Sequence, residues 1–187
     1  IGALFPAKIY QKLYEKNSII CNEIIFYTKY SSLSASVRYR FIGYKQYLIK
    51  NKFKIRHNIL FDDYFYKNKI FNNKINIFIF IFLYLKRIFG LFFIKKNSLV
   101  IIHFQILPYT FGICEKILKI RKIKYILDID DAIFFGKENN NKLIKKFNIL
   151  SYKNVLKFAD GIIVGNQYLC DYVKKYNQNV EIIPTVI

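Results

Sequence analysis

Three carboxylates, Asp128, Asp130 and Asp131, fall within the run Tyr125–Phe134 (YILDIDDAIF), and no other part of the chain groups reactive side chains so tightly. Carboxylates this close can raise one another's pKa, bind a cation, or hydrogen-bond the hydroxyls of a ligand. Alternation along an extended run points Asp128 and Asp130 to the same side, whereas Asp131 can instead cap the turn before Ala132. A short apolar run with such an ending reads as a buried parallel strand, and open α/β sheets present functional groups at strand carboxyl ends. The design returns in 159–166 (ADGIIVGN), where Asn166 either lines a cleft or caps a helix beginning near Gln167. It returns again in Val180–Thr185 (VEIIPT).

A second grouping is Ser34–Arg40 (SASVRYR). Ser36 is placed to N-cap a helix over Val37–Asn51, with Phe41, Tyr44, Tyr47 and Leu48 at helical spacing. Backbone N–H groups at a helix start attract anions, and Arg38 would add a bidentate ligand for phosphate or carboxylate. A capped helix with surface arginines has the same pattern, so both readings stay open. His103 and Gln105 alternate on a predicted strand, Ser98–Gln105, and could face a substrate together, although a lone strand His is also an ordinary core residue. His57 is expected to be structural. No G-x-G-x-x-G or P-loop follows any strand, and Cys21, Cys114 and Cys170 lack metal-type spacing. No cofactor and no metal are therefore expected, and the cysteines suit a reduced, cytoplasmic compartment.

The elements that must position these groups alternate. Predicted strands cover Glu23–Tyr30, Lys54–Phe61, Ser98–Gln105, Lys124–Asp128, Gly161–Gly165 and Glu181–Ile183. Predicted helices cover Val37–Asn51, Pro108–Lys119, Lys142–Phe158 and Gln167–Tyr176. Strands alternating with helices imply parallel pairing through right-handed crossovers, hence an α/β fold with a Rossmann-like parallel sheet of about six strands flanked by helices on both faces. The strands ending at Asp128, Gly165 and Ile183 should be central or adjacent. Ser36, Arg38, Asp128, Asp130 and Asn166 should then gather at one edge of the sheet.

At 187 residues there is room for one compact domain. The 31 Lys and Arg against 12 Asp and Glu leave a formal charge of +19, which favours anionic partners, although a Lys/Ile/Asn-rich bias can place much of it on solvated surface. Ile75–Ile94 is the most apolar stretch; its length matches a bilayer span, but Lys86, Arg87 and Gly90 interrupt it. It reads as a core helix or as a membrane-surface helix with Lys86, Arg87, Lys95 and Lys96 at the headgroup level. The chain contains no Met and starts at Ile1, which suggests a fragment or a trimmed product.

Four segments, in order, resemble signatures of family 4 (group 1) glycosyltransferases. Ala35–Arg40 (ASVRYR) is similar to their "SSRYR", with Val37 where that family often has a second Ser; Tyr125–Phe134 is similar to "vyDiDDaiw". Ala159–Leu169 (ADGIIVGNQYL) is similar to "aDavivgNeyL", and Tyr176–Thr185 (YNQNVEIIPT) to "ynpnv.viPt". The resemblance implies one half of a GT-B architecture, in which residues 21–187 form the acceptor-side domain and the donor-binding C-terminal domain lies outside this chain. Residues 1–20 would be a leading helix or the tail of a preceding domain. It further implies a retaining, hexosyltransferase-like enzyme that moves sugar from a nucleotide-sugar to a polysaccharide, glycolipid or other lipid-linked acceptor of the cell envelope. Ser36, Arg38, Asp128, Asp130 and Asn166 would bind substrate, and His103 and Gln105 would face the acceptor; no residue is assigned to catalysis. The half alone would be inactive, and the setting would be cytoplasmic, peripheral on the inner face of the plasma membrane. The competing expectation is a basic, non-enzymatic module for anionic membrane or nucleic acid. Scattered lysines and the lack of an RNA-binding aromatic signature count against a nucleic-acid partner.

Overall fold

The computed structural model describes residues 23–65, 77–132 and 142–184. The expectations for residues 1–20, Cys21 and Thr185 lie outside them. Six strands form one all-parallel sheet: β1 (Glu23–Thr28), β2 (Lys54–Ile59), β3 (Ser98–His103), β4 (Tyr125–Ile129), β5 (Gly161–Val164) and β6 (Val180–Ile182), in the spatial order β2-β1-β3-β4-β5-β6. The α/β parallel sheet is thus the observed fold, and the strands carrying Asp128, Gly161–Val164 and Val180–Ile182 lie side by side. The strand order reverses at β1/β3, and in open α/β sheets the crevice beyond the carboxyl ends at such a point is the usual ligand site.

Burial follows position in the sheet. Central β3, β4 and β5 are buried at every residue, as strands covered on both faces must be, whereas β2 at the edge is half-buried. Helix α1 covers one face. It runs through Ala35–Val37, a π-helical turn at Arg38–Ile42, and Gly43–Lys50. Its buried Phe41 and Leu48 pack on Ile24, Phe26, Ile101, Ile126 and Ile163. The other face receives α2 (Ile77–Phe92), α3 (Ile113–Ile120), α4 (Lys142–Phe158) and α5 (Gln167–Val173) through Leu91, Leu118, Val155 and Val173.

Several expected boundaries move. Strand β3 ends at His103, because Phe104 adopts φ 65°, a left-handed conformation that ends pleating. Gln105 is therefore outside the strand. Helix α3 begins at Ile113, five residues after Pro108, because Tyr109, Phe111 and Gly112 all have positive φ. Helix α1 starts one residue before Ser36, with Ser34 at the N-cap position, so Ser36 is not the cap. No helix among the described residues is long and apolar enough to cross a membrane.

Candidate functional site

Side-chain alternation places residues 99, 101 and 103 of β3, and 126 and 128 of β4, on the sheet face that α1 covers. His103 and Asp128 are paired in register at the carboxyl end, and the His103 ring stands edge-on to Phe41 of α1, with centroids 5.4 Å apart. Above Asp128 the π-helical turn carries Arg40. A single-turn π segment is a local defect often found at functional sites, and here its inward face holds the arginine. Arg40 Nε donates to Asp128 Oδ1 at 2.7 Å and Nη2 lies 2.5 Å from the same oxygen. Nη1 donates to the Ile183 carbonyl at 3.1 Å. Both partners of the ion pair are almost fully buried, so the pair ties α1 to β4 and to the chain beyond β6 with little screening.

One step outward, His103 Nε2 lies 3.3 Å from Asp130 Oδ1, and the Ser36 side chain also hydrogen-bonds this carboxylate. Burial pushes the Asp130 carboxyl up. The hydrogen bonds of His103 and Ser36, with the electrostatic pull of His103 and Arg40, outweigh burial and hold it at about 2. Asp130 is therefore an anion at neutral pH and too weak a base to take a proton from an alcohol; it suits orientation through charge-assisted hydrogen bonds. Its side chain is 11 % exposed, more open than the almost fully buried Asp128. From the other side Gly165 presses on it: a Cβ there would lie 3.3 Å from the Asp130 carbonyl oxygen. A side chain at 165 would push the β5–α5 loop off the Asp130 backbone.

The residues expected at this edge divide. Ser36, Asp128, Asp130 and His103 meet in one network. Arg38 does not join it. Its guanidinium is exposed and folds back on the carbonyls of Ser32 and Leu33, at 2.8 and 3.0 Å, because Val37 and Phe41 turn the opposite face of α1 to the sheet. Gln105 accepts from Ser151 of α4 at 3.3 Å, on the sheet face away from α1, so it and His103 do not point together. Asn166 is the N-cap of α5: its Oδ1 accepts from Leu169 N at 2.9 Å, and its residue is exposed. Asp131 accepts from the Ala132 N–H at 2.7 Å and turns away. Among the described residues no three His, Cys, Asp or Glu side chains are grouped to hold a metal ion.

Sequence reasoning chose Arg38 as the site residue and gave no role to Arg40. Its signal was present: at three residues after Val37 and one before Phe41, it shares the buried stripe of α1, while Arg38 falls outside it. A cavity of about 430 Å³ opens between the loops after β1 and β2, lined by Ser31, Ser32, Ile42, His57, Asp62 and Asp63. His57 touches Thr28 Oγ1 at 2.8 Å; burial first, then Lys45 and Arg87, push its pKa down to about 4, so it faces this space as a neutral ring.

Arg87, expected at a headgroup, is buried within the fold instead. It donates to the carbonyls of Thr28 at 2.9 Å, Asn58 at 2.6 Å and Ile106 at 3.0 Å, and it stands over the Tyr27 ring at 5.0 Å. It gathers the carboxyl ends of β1 and β2 with the loop after β3. Glu115, fully buried on α3, takes the N–H of the same Ile106 at 2.7 Å. The loop that leaves His103 is thus clamped at one residue by two buried side chains, Arg87 on its carbonyl and Glu115 on its N–H. No protein-family model matches the chain, and no curated protein matches it.

Proposed function

We propose that the chain is the acceptor-side half of a GT-B glycosyltransferase that moves a sugar, with retention, from a nucleotide-sugar to a polysaccharide or glycolipid of the cell envelope. One observation carries the reading. A low-pKa carboxylate, Asp130, stands at the carboxyl edge of a parallel sheet, held by His103 and Ser36 over the buried Arg40–Asp128 pair. Such a group fixes an acceptor hydroxyl without ionising it. The cavity between the loops after β1 and β2, with Asp62, Asp63, two serines and His57 on its walls, has the hydrogen-bonding complement of a glycan site. The resemblance of Ala35–Arg40, Tyr125–Phe134, Ala159–Leu169 and Tyr176–Thr185 to family 4 glycosyltransferases supports the same reading. The donor would bind a second domain that faces this edge, in a cytoplasmic setting at the inner face of the plasma membrane.

The test is transfer of label from UDP- and GDP-sugars to glycolipid and polysaccharide extracts by the protein together with its donor-binding domain. Labelled product of retained anomeric configuration is expected from at least one donor. Folded protein that transfers nothing from any donor would contradict the reading.

A further inference from the structure

The outward face of α2 is unusually apolar for a surface helix. Phe78, Phe82, Phe89 and Phe93 are 79, 63, 63 and 78 % exposed, and Ile81, Leu85 and Phe92 continue the same stripe. Scattered exposed apolar residues are ordinary, but a contiguous stripe marks a surface that is covered in use. Beside it, between α2 and the edge strand β2, lies a groove of about 430 Å³. Leu83, Phe89, Gly90 and Phe93 give it apolar walls, and Arg56 and Lys86 supply cations. Arg56 has donors to spare: its Nε is buried with no hydrogen-bond partner among the described residues, and its ion pair with Glu23 is long, at 3.4 Å. Lys95 and Lys96 stand exposed just past the helix.

We propose that α2 is a bilayer-docking helix, and that the groove between α2 and β2 takes the phosphate headgroup of an anionic phospholipid while the phenylalanines enter the acyl boundary. Charge chooses this occupant. A second copy of the chain would bring another +19 against the same lysines, whereas an anionic leaflet neutralises them. Arg87 on the inner side of α2 anchors it to three backbone carbonyls of the protein, which a helix crossing the hydrocarbon core could not keep. The helix therefore lies in the interface plane, with its apolar side down and its cations at headgroup depth.

The experiment is flotation of the chain with phosphatidylcholine vesicles, with and without phosphatidylglycerol, at low and high salt. Binding to the anionic vesicles that weakens as salt rises is expected. Phe78→Ser with Phe82→Ser should abolish it, and both residues are exposed enough for the fold to survive. Arg56→Ala and Lys86→Ala should each weaken it roughly fivefold on anionic vesicles only. Gly90→Leu tests the groove itself. A Cβ at Gly90 meets nothing within 4 Å, so the larger side chain fills open space and should erase the preference for anionic lipid while the apolar component remains. Absence of binding to anionic vesicles overturns the proposal. So does a wild-type dimer in sedimentation that Phe78→Ser with Phe82→Ser converts to monomer, which would assign the face to a second copy. None of these outcomes depends on sugar transfer, so this inference and the enzymatic reading fail separately.

Discussion

Two buried arginines, Arg40 and Arg87, hold the same edge of the sheet by different means. Arg40 is paired with a carboxylate, Asp128, and adds one carbonyl. Arg87 is held through three carbonyls and a tyrosine ring, and burial lowers its pKa to about 10, partly offset by Tyr27, Cys114, Glu115 and Tyr84. A guanidinium held by backbone serves the fold, because its partners exist in any sequence that forms these strands. A guanidinium matched to a buried side-chain charge has a specific counterpart, and it sits next to Asp130, the partly open anion of the edge. The contrast separates a structural staple from the foundation of the candidate site.

The largest expected effects come from breaking each staple. Arg87→Ala leaves up to three carbonyls without their donor, at about 1–3 kcal/mol each, and Arg87→Lys should recover little because an ammonium cannot span the fork. Arg40→Met removes the partner of a buried carboxylate, which typically costs about 3–5 kcal/mol. The two should differ in rescue. Asp128→Asn added to Arg40→Met removes the stranded charge and should restore much of the loss in urea unfolding. No second substitution can do so for Arg87. A double variant at 40 and 128 that is less stable than Arg40→Met alone would erase the distinction.

The two regions should also respond oppositely to pH. Burial chiefly raises Glu115, to about 7 from 4.5, so its contribution is fully present below pH 4.5 and is lost as pH climbs toward 7. That span corresponds to about 3 kcal/mol. Asp130 is lowered from 3.8 to about 2, so its contribution is present above pH 4 and disappears as pH falls toward 2, a smaller loss of about 2 kcal/mol. His57 titrates between 6.5 and about 4 with the sign of Asp130, so each variant is read against wild type, where it cancels. Glu115→Gln should gain relative stability from pH 5 to 7, and Asp130→Asn should flatten only the acid limb. Parallel curves for wild type and Glu115→Gln would mean that the clamp on Ile106 carries no titrating charge.

The sheet was legible because its central strands are continuous apolar runs, β4 and β5 ended by Asp, Gly or Asn, and these signals are local. The edge network was legible in part. Alternation alone put Asp128 and Asp130 on one side, and Ser36 fell near enough in the α1 start to reach Asp130. Arg38 was misjudged because the helix phase, set by Val37, Phe41 and Leu48, decides which arginine faces inward. Gln105 was misjudged because nothing in Phe104 announces a positive φ. Arg87 and Glu115 were illegible as partners: their meeting at Ile106 is created by packing α2 and α3 against the same loop, a long-range fact with no spacing rule.

The central claim is that Asp130 orients an acceptor and does not merely secure its turn. The most direct measurement is specific transfer activity and melting temperature, taken on one preparation of Asp130→Ala in the protein together with the donor-binding domain that the proposed function requires. Losing a charge-assisted hydrogen bond to a bound hydroxyl costs about 1.5–3 kcal/mol, so activity per folded molecule should fall roughly ten- to a hundredfold while folding is retained. A lowered melting temperature with near-normal activity in the surviving folded protein would contradict the account and leave Asp130 a structural residue.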